Sequence, residues 1–275
     1  MHLKERILNT SLTEDQIAIF YLGQVGFIIK FRGKYLLIDG YLSDYVDRHC
    51  SQTVKWKRNY PSPIRGGELD FIDYVFLTHE HKDHADPDTL MAISGINKKA
   101  TYFMPKSIQK SVSGWISSGK IAGVSADKTV ILDQGFSFMP IPSAHETLHV
   151  DENGEYREMG YIMKFDQISL YHSGDCCMYD KLEEKVKGTD ILMLPINGRD
   201  YFRNKDDIIG CFDSNEAIIL AQKAEAKLLI PTHFDLYSVN GVNPAYFVDC
   251  LYRINPVQRF HIFMPGEGFV YGNTL

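Results

Sequence analysis

The chain has 275 residues, 44% of them hydrophobic, with a formal net charge of −6 and a sequence pI of about 5.9. That balance argues against a protein that grips nucleic acid along a track, which needs many phosphate-neutralising side chains, and no stretch reaches the ~18 uninterrupted apolar residues of a membrane span. The charged start "MHLKERILNTSLTEDQ" lacks the apolar core of a signal peptide, and the five cysteines are odd in number, scattered and without a CxxC pair, which reads as reduced thiols in a cytoplasmic protein.

In chain order, "IAIFYLGQVGFIIKFRGKYLLIDG" (17–40) gives three apolar, β-branched-rich runs separated by "GQ" and "FRGK", a meander of strands ending at Asp39. The segment from Asp47 to Gly67 is the longest irregular, basic stretch, and loops of that length are usually functional or disordered. A short buried strand led by Asp73 then runs into "THEHKDHAD". Residues two apart on an extended chain share a face, so His79 and His81 can present both rings to one ion. A turn at Lys82 lets Asp83 and His84 face a second ion, at the ~3.5–4 Å separation of two-metal hydrolysis. Imidazole and carboxylate suit Zn²⁺, Mn²⁺ or Fe. The next run predicts a helix with Asp86 as N-cap, Pro87 at its first position and Gly95 as its stop.

The second half repeats the plan. "GYIMKFDQISLYHSGD" from Gly160 aligns with "GFIIKFRGKYLLIDG" from Gly26, and its second strand ends at Asp175 as the first ends at Asp39. Buried strands led by Asp190 and Lys227 run to Asn197 and His233. Helices are expected from Asp213 or Ser214, with Glu216 closing a capping box, and after Asn243-Pro244. Two similar halves, about 1–130 and 131–275, with helices outside and sheets facing inward predict one domain over 1–275, a four-layer αβ/βα sandwich of class α/β.

Four residues of "THEHKDH" cannot saturate two ions, and His145, Asp175 and His233 stand at later strand ends. This ordered set resembles the metallo-β-lactamase superfamily. The resemblance implies that His79, His81 and His145 bind one metal, that Asp83, His84 and His233 bind the other, and that Asp175 bridges them. It also gives Asp39 the task of orienting a ligand histidine through its second ring N–H, a capping role in "DGY" being the alternative. His172 supports the site from behind or is simply a buried strand residue.

"FYLGQVGFIIKF", "NYPSPI", "YHSGD" and "LIPTHFD" look like the L-ascorbate-6-phosphate lactonase branch of that superfamily. The branch implies a binuclear hydrolase, Mn²⁺- or Zn²⁺-dependent, in which a metal-bridging hydroxide opens a (phosphorylated) sugar lactone and Asp83 and Asp175 take part in catalysis. A phosphodiesterase or phospholipase D-like hydrolase of the same fold, or a non-catalytic metal-binding regulator, are the alternatives. A small anionic substrate would need a cation. Strand alignment puts Asn197 and Arg199 at the metal edge, where a guanidinium holds phosphate with a forked pair of bonds. Lys55, Arg58, Tyr60 and Arg65 in the basic loop are further candidates, or serve only to solvate it. No membrane partner is expected, and a homo-oligomer stays open.

Overall fold

The computed structural model describes residues 2–50, 55–133 and 135–272; part of the basic loop, residues 51–54, lies outside them. The strands are β1 (Gln16–Gly23), β2 (Gly26–Phe31), β3 (Lys34–Ile38), β4 (Tyr74–Phe76), β5 (Thr101–Pro105), β6 (Lys120–Val124), β7 (Val130–Asp133), β8 (Phe136–Pro142), β9 (Met159–Phe165), β10 (Ile168–His172), β11 (Ile191–Pro195), β12 (Leu228–Thr232) and β13 (Gly268–Gly272). They form two sheets, ordered β13-β1-β2-β3-β4-β5-β6 and β12-β11-β10-β9-β8-β7.

Period-two alternation builds the layers. In β1, Ile17, Ile19 and Tyr21 face the second sheet, and Ala18, Phe20 and Leu22 face the outer helices of their own half. The inter-sheet core is rich in aromatic rings: Phe76 meets Phe103, Phe138 and Tyr161 at centroid distances of 5.1, 4.9 and 5.3 Å. On the far side, Leu192 and Leu194 of β11 pack with Ala217, Ile218 and Phe247 of the helices Ser214–Lys223 and Pro244–Ile254. The result is the expected α/β sandwich, two mixed sheets packed face to face with helices outside. The boundary near residue 130 separates the sheets with one exception: β13 crosses back to pair antiparallel with β1, from Gln16 opposite Gly272 to Phe20 opposite Gly268.

Local signals place the helix starts. Asp86 accepts the Asp88 amide ahead of Pro87, Asp213 and Glu216 form a reciprocal capping box, and Asn243 accepts from Ala245. The expected stop at Gly95 is corrected: the helix runs Pro87–Ile96 and ends at Asn97, whose side chain donates to the Leu69 and Ile72 carbonyls. Gly95 sits in the last turn, where the cost of a helical glycine, about 1 kcal/mol against Ala, is tolerated.

The parallel strand ends matter most for function. Pairings β3–β4 and β10–β11–β12 bring the carboxyl ends of β3, β4, β10 and β12 to one edge, where α/β sheets carry their chemistry.

Candidate metal centre

Each predicted ligand leaves a strand end at this edge. Thr78 and His79 follow β4, Asp175 follows β10, and His233 follows β12 with a left-handed backbone (φ 56°). Its amide donates to the Gln24 carbonyl at 2.7 Å, which fixes that unusual conformation. Gly174 (φ 60°) is required where it stands, since a Cβ there would lie 2.7 Å from that of Thr78; this approach carries Asp175 up against the histidine strand.

The side chains fall into two groups. His79, His81, His145 and Asp175 each offer a donor atom within 4.8 Å of the others, and so do Asp83, His84 and His233. Asp175 lies between them: its Oδ2 is 3.5 Å from His145 Nε2 and 3.4 Å from His233 Nε2, and its Oδ1 is 3.2 Å from His84 Nε2. His79 Nε2, His84 Nε2 and Asp175 Oδ1 are buried without a well-formed hydrogen bond. Buried polar atoms are normally satisfied, so unsatisfied donor atoms within the two groups fit divalent cations, and the N/O donor mix suits Mn²⁺ or Zn²⁺.

Electrostatics divides the groups. Burial and the neighbouring imidazoles His84 and His81 hold His79 well below the usual histidine range, and burial takes His145 down to about 4 against the pull of Asp175. Burial also acts to lower His84 and His233, but carboxylates prevail. Asp175, Asp83 and Asp39 hold His84 well above its ordinary value, and Asp175 and Asp83 lift His233 to about 9.

Behind the first ring of side chains, Asp39 accepts from the Thr78 amide (2.9 Å) and hydroxyl (2.6 Å) and lies 2.8 Å from His84 Nδ1. His172 touches none of the seven: its Nε2 donates to the Val25 carbonyl (2.8 Å) and its Nδ1 accepts from the Gly174 amide (3.1 Å), pinning the turn before Asp175 to the β1–β2 hairpin. Gln24 was not anticipated. Its side-chain amide donates to Asp83 Oδ2 at 2.9 Å and lies 3.0 Å from His233 Nε2. A polar residue at the tip of an apolar hairpin, between Gly23 and Val25, was the available signal.

His81, Asp83, His145, Asp175 and His233 floor a cleft of about 500 Å³ bordered by Val46, Trp56, Glu80, Lys82, Ile208, Ile209 and Tyr237, with His79 and His84 buried beneath. The expected substrate cations are elsewhere. Gly198 adopts φ 70° and turns the chain away, so Arg199 forms a forked pair with Glu216 (2.8 and 2.6 Å) and donates to the Cys211 carbonyl (2.8 Å). Asn197 is buried and donates to Asn240, which does border the cleft. Arg58 lies over the Tyr41 ring at 5.1 Å and donates to the Ser43 carbonyl. Tyr60 packs over Gly23, Lys55 is exposed outside the cleft lining, and Arg65 is exposed at the start of a short 3₁₀ turn (Gly66–Glu68). Asn197, Arg199, Lys55, Arg58, Tyr60 and Arg65 therefore do not line the cleft, and Asn197 reaches it through Asn240.

Residues 34–234 match the family model described as beta-lactamase superfamily domain. The chain belongs to that superfamily. It is 22% identical over 255 residues to a UPF0173 metal-dependent hydrolase of Caldivirga maquilingensis, covering 90% of this chain and 95% of that one. Among solved structures it superposes on Igni18, a metallo hydrolase of Ignicoccus hospitalis, with a TM-score of 0.67 at 18% identity, covering 93% and 98% of the two chains. For an isothiocyanate hydrolase from Delia radicum gut bacteria the TM-score is 0.73 at 15% identity, with 93% and 99% covered. These solved structures bear on the superfamily member's fold alone.

Proposed function

We propose that this metal-dependent hydrolase of the beta-lactamase superfamily opens a lactone or a related carboxylic ester at a binuclear centre. The observation that carries the reading is Asp175, within 3.5 Å of histidines from both groups on the floor of the cleft. His79, His81 and His145 would hold one ion, Asp83, His84 and His233 the other, with Asp175 shared. Bound Mn²⁺ or Zn²⁺ supplies a nucleophile at neutral pH and polarises the carbonyl.

The chain's own residues have defined tasks. Asp39 holds the His84 ring by its Nδ1 side and leaves Nε2 for the centre. Gln24 and Asp83 form one hydrogen-bonded unit beside His233, so Asp83 is oriented before substrate arrives. Among the described residues no helix is long and apolar enough to cross a membrane. The lactone part of the resemblance fits this floor; its phosphate part lacks the anchor expected of Arg199, which Glu216 occupies.

The test is a substrate panel on the full chain reloaded with Mn²⁺ or Zn²⁺. Turnover of lactones, abolished by His81→Ala, supports the reading. Cleavage of model phosphodiesters with no lactone turnover overturns it.

A further inference from the structure

The walls of the cleft differ in chemistry from its floor. Val46 and Ile208 are buried. Trp56 stands edge-on to Tyr237, 5.2 Å between ring centroids. The Tyr237 hydroxyl meets Asp47 Oδ1 and the Tyr41 hydroxyl, each at 2.7 Å, so the hydroxyl is engaged within the protein and the ring is what borders the cleft. Ile209 adds a 37% exposed aliphatic side chain to the same wall.

The charged residues at the border do not form an anion site. Lys82 is the one lysine or arginine bordering the cleft among the described residues. Its ammonium donates to the Glu80 carbonyl at 3.1 Å and sits 4.1 Å over the Trp115 ring, which does not border the cleft. The other charges there, apart from the floor, are the carboxylates Glu80 and Asp207. An anionic substituent would give up its hydration to face carboxylates and apolar surface, while an alkyl or aryl group would bury area against Trp56, Ile208 and Ile209.

We infer that the substrate is uncharged away from the scissile bond and carries an apolar alkyl or aryl group that packs against Trp56, Ile208 and Ile209. The inference rests on the reading of this cleft as the substrate site of an ester hydrolase.

The experiment separates binding from turnover. Calorimetry on the full chain compares two non-hydrolysable δ-lactams, one bearing a phenyl group and the other the same phenyl group with a para-phosphate. The expected result is at least about tenfold tighter binding of the neutral lactam, with that preference lost in Trp56→Ala, a half-buried position whose removal spares both sheets. Equal or tighter binding of the phosphate, no binding of the neutral lactam, or an unchanged preference in Trp56→Ala would overturn the inference. Preferential binding of the neutral lactam without turnover of the matching lactone supports the inference and overturns the lactone reading instead.

Discussion

Asp39 Oδ2 lies 2.8 Å from His84 Nδ1 with both side chains fully buried, and the same carboxylate accepts two bonds from Thr78. Removing it strands three buried donors and frees the His84 ring to rotate. Asp39→Ala should weaken metal affinity by about 10–100-fold and destabilise the chain by ~3 kcal/mol. Metal competition titration and thermal melts check the two effects. Unchanged affinity would show that His84 needs no partner behind it.

Gln24 makes a narrower prediction. Its amide touches Asp83 and His233, both members of the group that excludes His79, His81 and His145. Gln24→Ala should therefore weaken one of two binding steps, by about tenfold, and leave the other within twofold. A stepwise calorimetric titration distinguishes the steps, and equal weakening of both would contradict the assignment.

Arg199 tests whether its guanidinium serves the helix start or a substrate. Its bonds go to Glu216 and the Cys211 carbonyl at a partly exposed position, so Arg199→Ala should cost about 1 kcal/mol of stability with kcat/KM on any accepted ester nearly unchanged. A large rise in KM confined to anionic substrates would return Arg199 to the cleft.

Asp190 supplies a pH dependence remote from the metal centre. Its carboxylate accepts from the Ser169 amide and hydroxyl, both at 2.7 Å, and pairs with Lys227. Burial would raise its pKa, but Lys227 and Ser169 outweigh that and hold it below the usual carboxylate value. A depressed folded pKa gives stability that is complete above the unfolded value of about 3.9 and fades as pH falls through the folded one. Asp190→Asn should lower Tm at pH 7 by several degrees, and its gap to wild type should narrow below about pH 4. Melts across pH 3–7 read this, and a gap independent of pH would rule out the ionised form as the source.

Much of this was legible because it is local. Alternation in "IAIFYL" separates Ile17 and Ile19 from Ala18 and Phe20, and the Asp86-Pro87 and Asn243-Pro244 pairs mark helix starts through bonds spanning two residues. The spacing of His79, His81, Asp83 and His84 likewise encodes two facings of one short segment. What sequence did not reveal depends on distant partners. Arg199 is diverted by a left-handed Gly198 and by Glu216 one helix away. Gln24 meets Asp83 and His233, 59 and 209 residues along the chain. The Trp56–Tyr237 wall joins a basic loop to the segment after β12, and neither carries a periodic pattern that announces a cleft.

The central claim is that seven side chains hold two ions around Asp175. Anomalous diffraction from crystals of the full chain equilibrated with Mn²⁺ or Zn²⁺ measures it most directly. The account predicts two peaks about 3.5–4 Å apart, one against His79, His81 and His145, the other against Asp83, His84 and His233, with Asp175 touching both. A single peak, or two peaks that leave Asp175 uncoordinated, would contradict it.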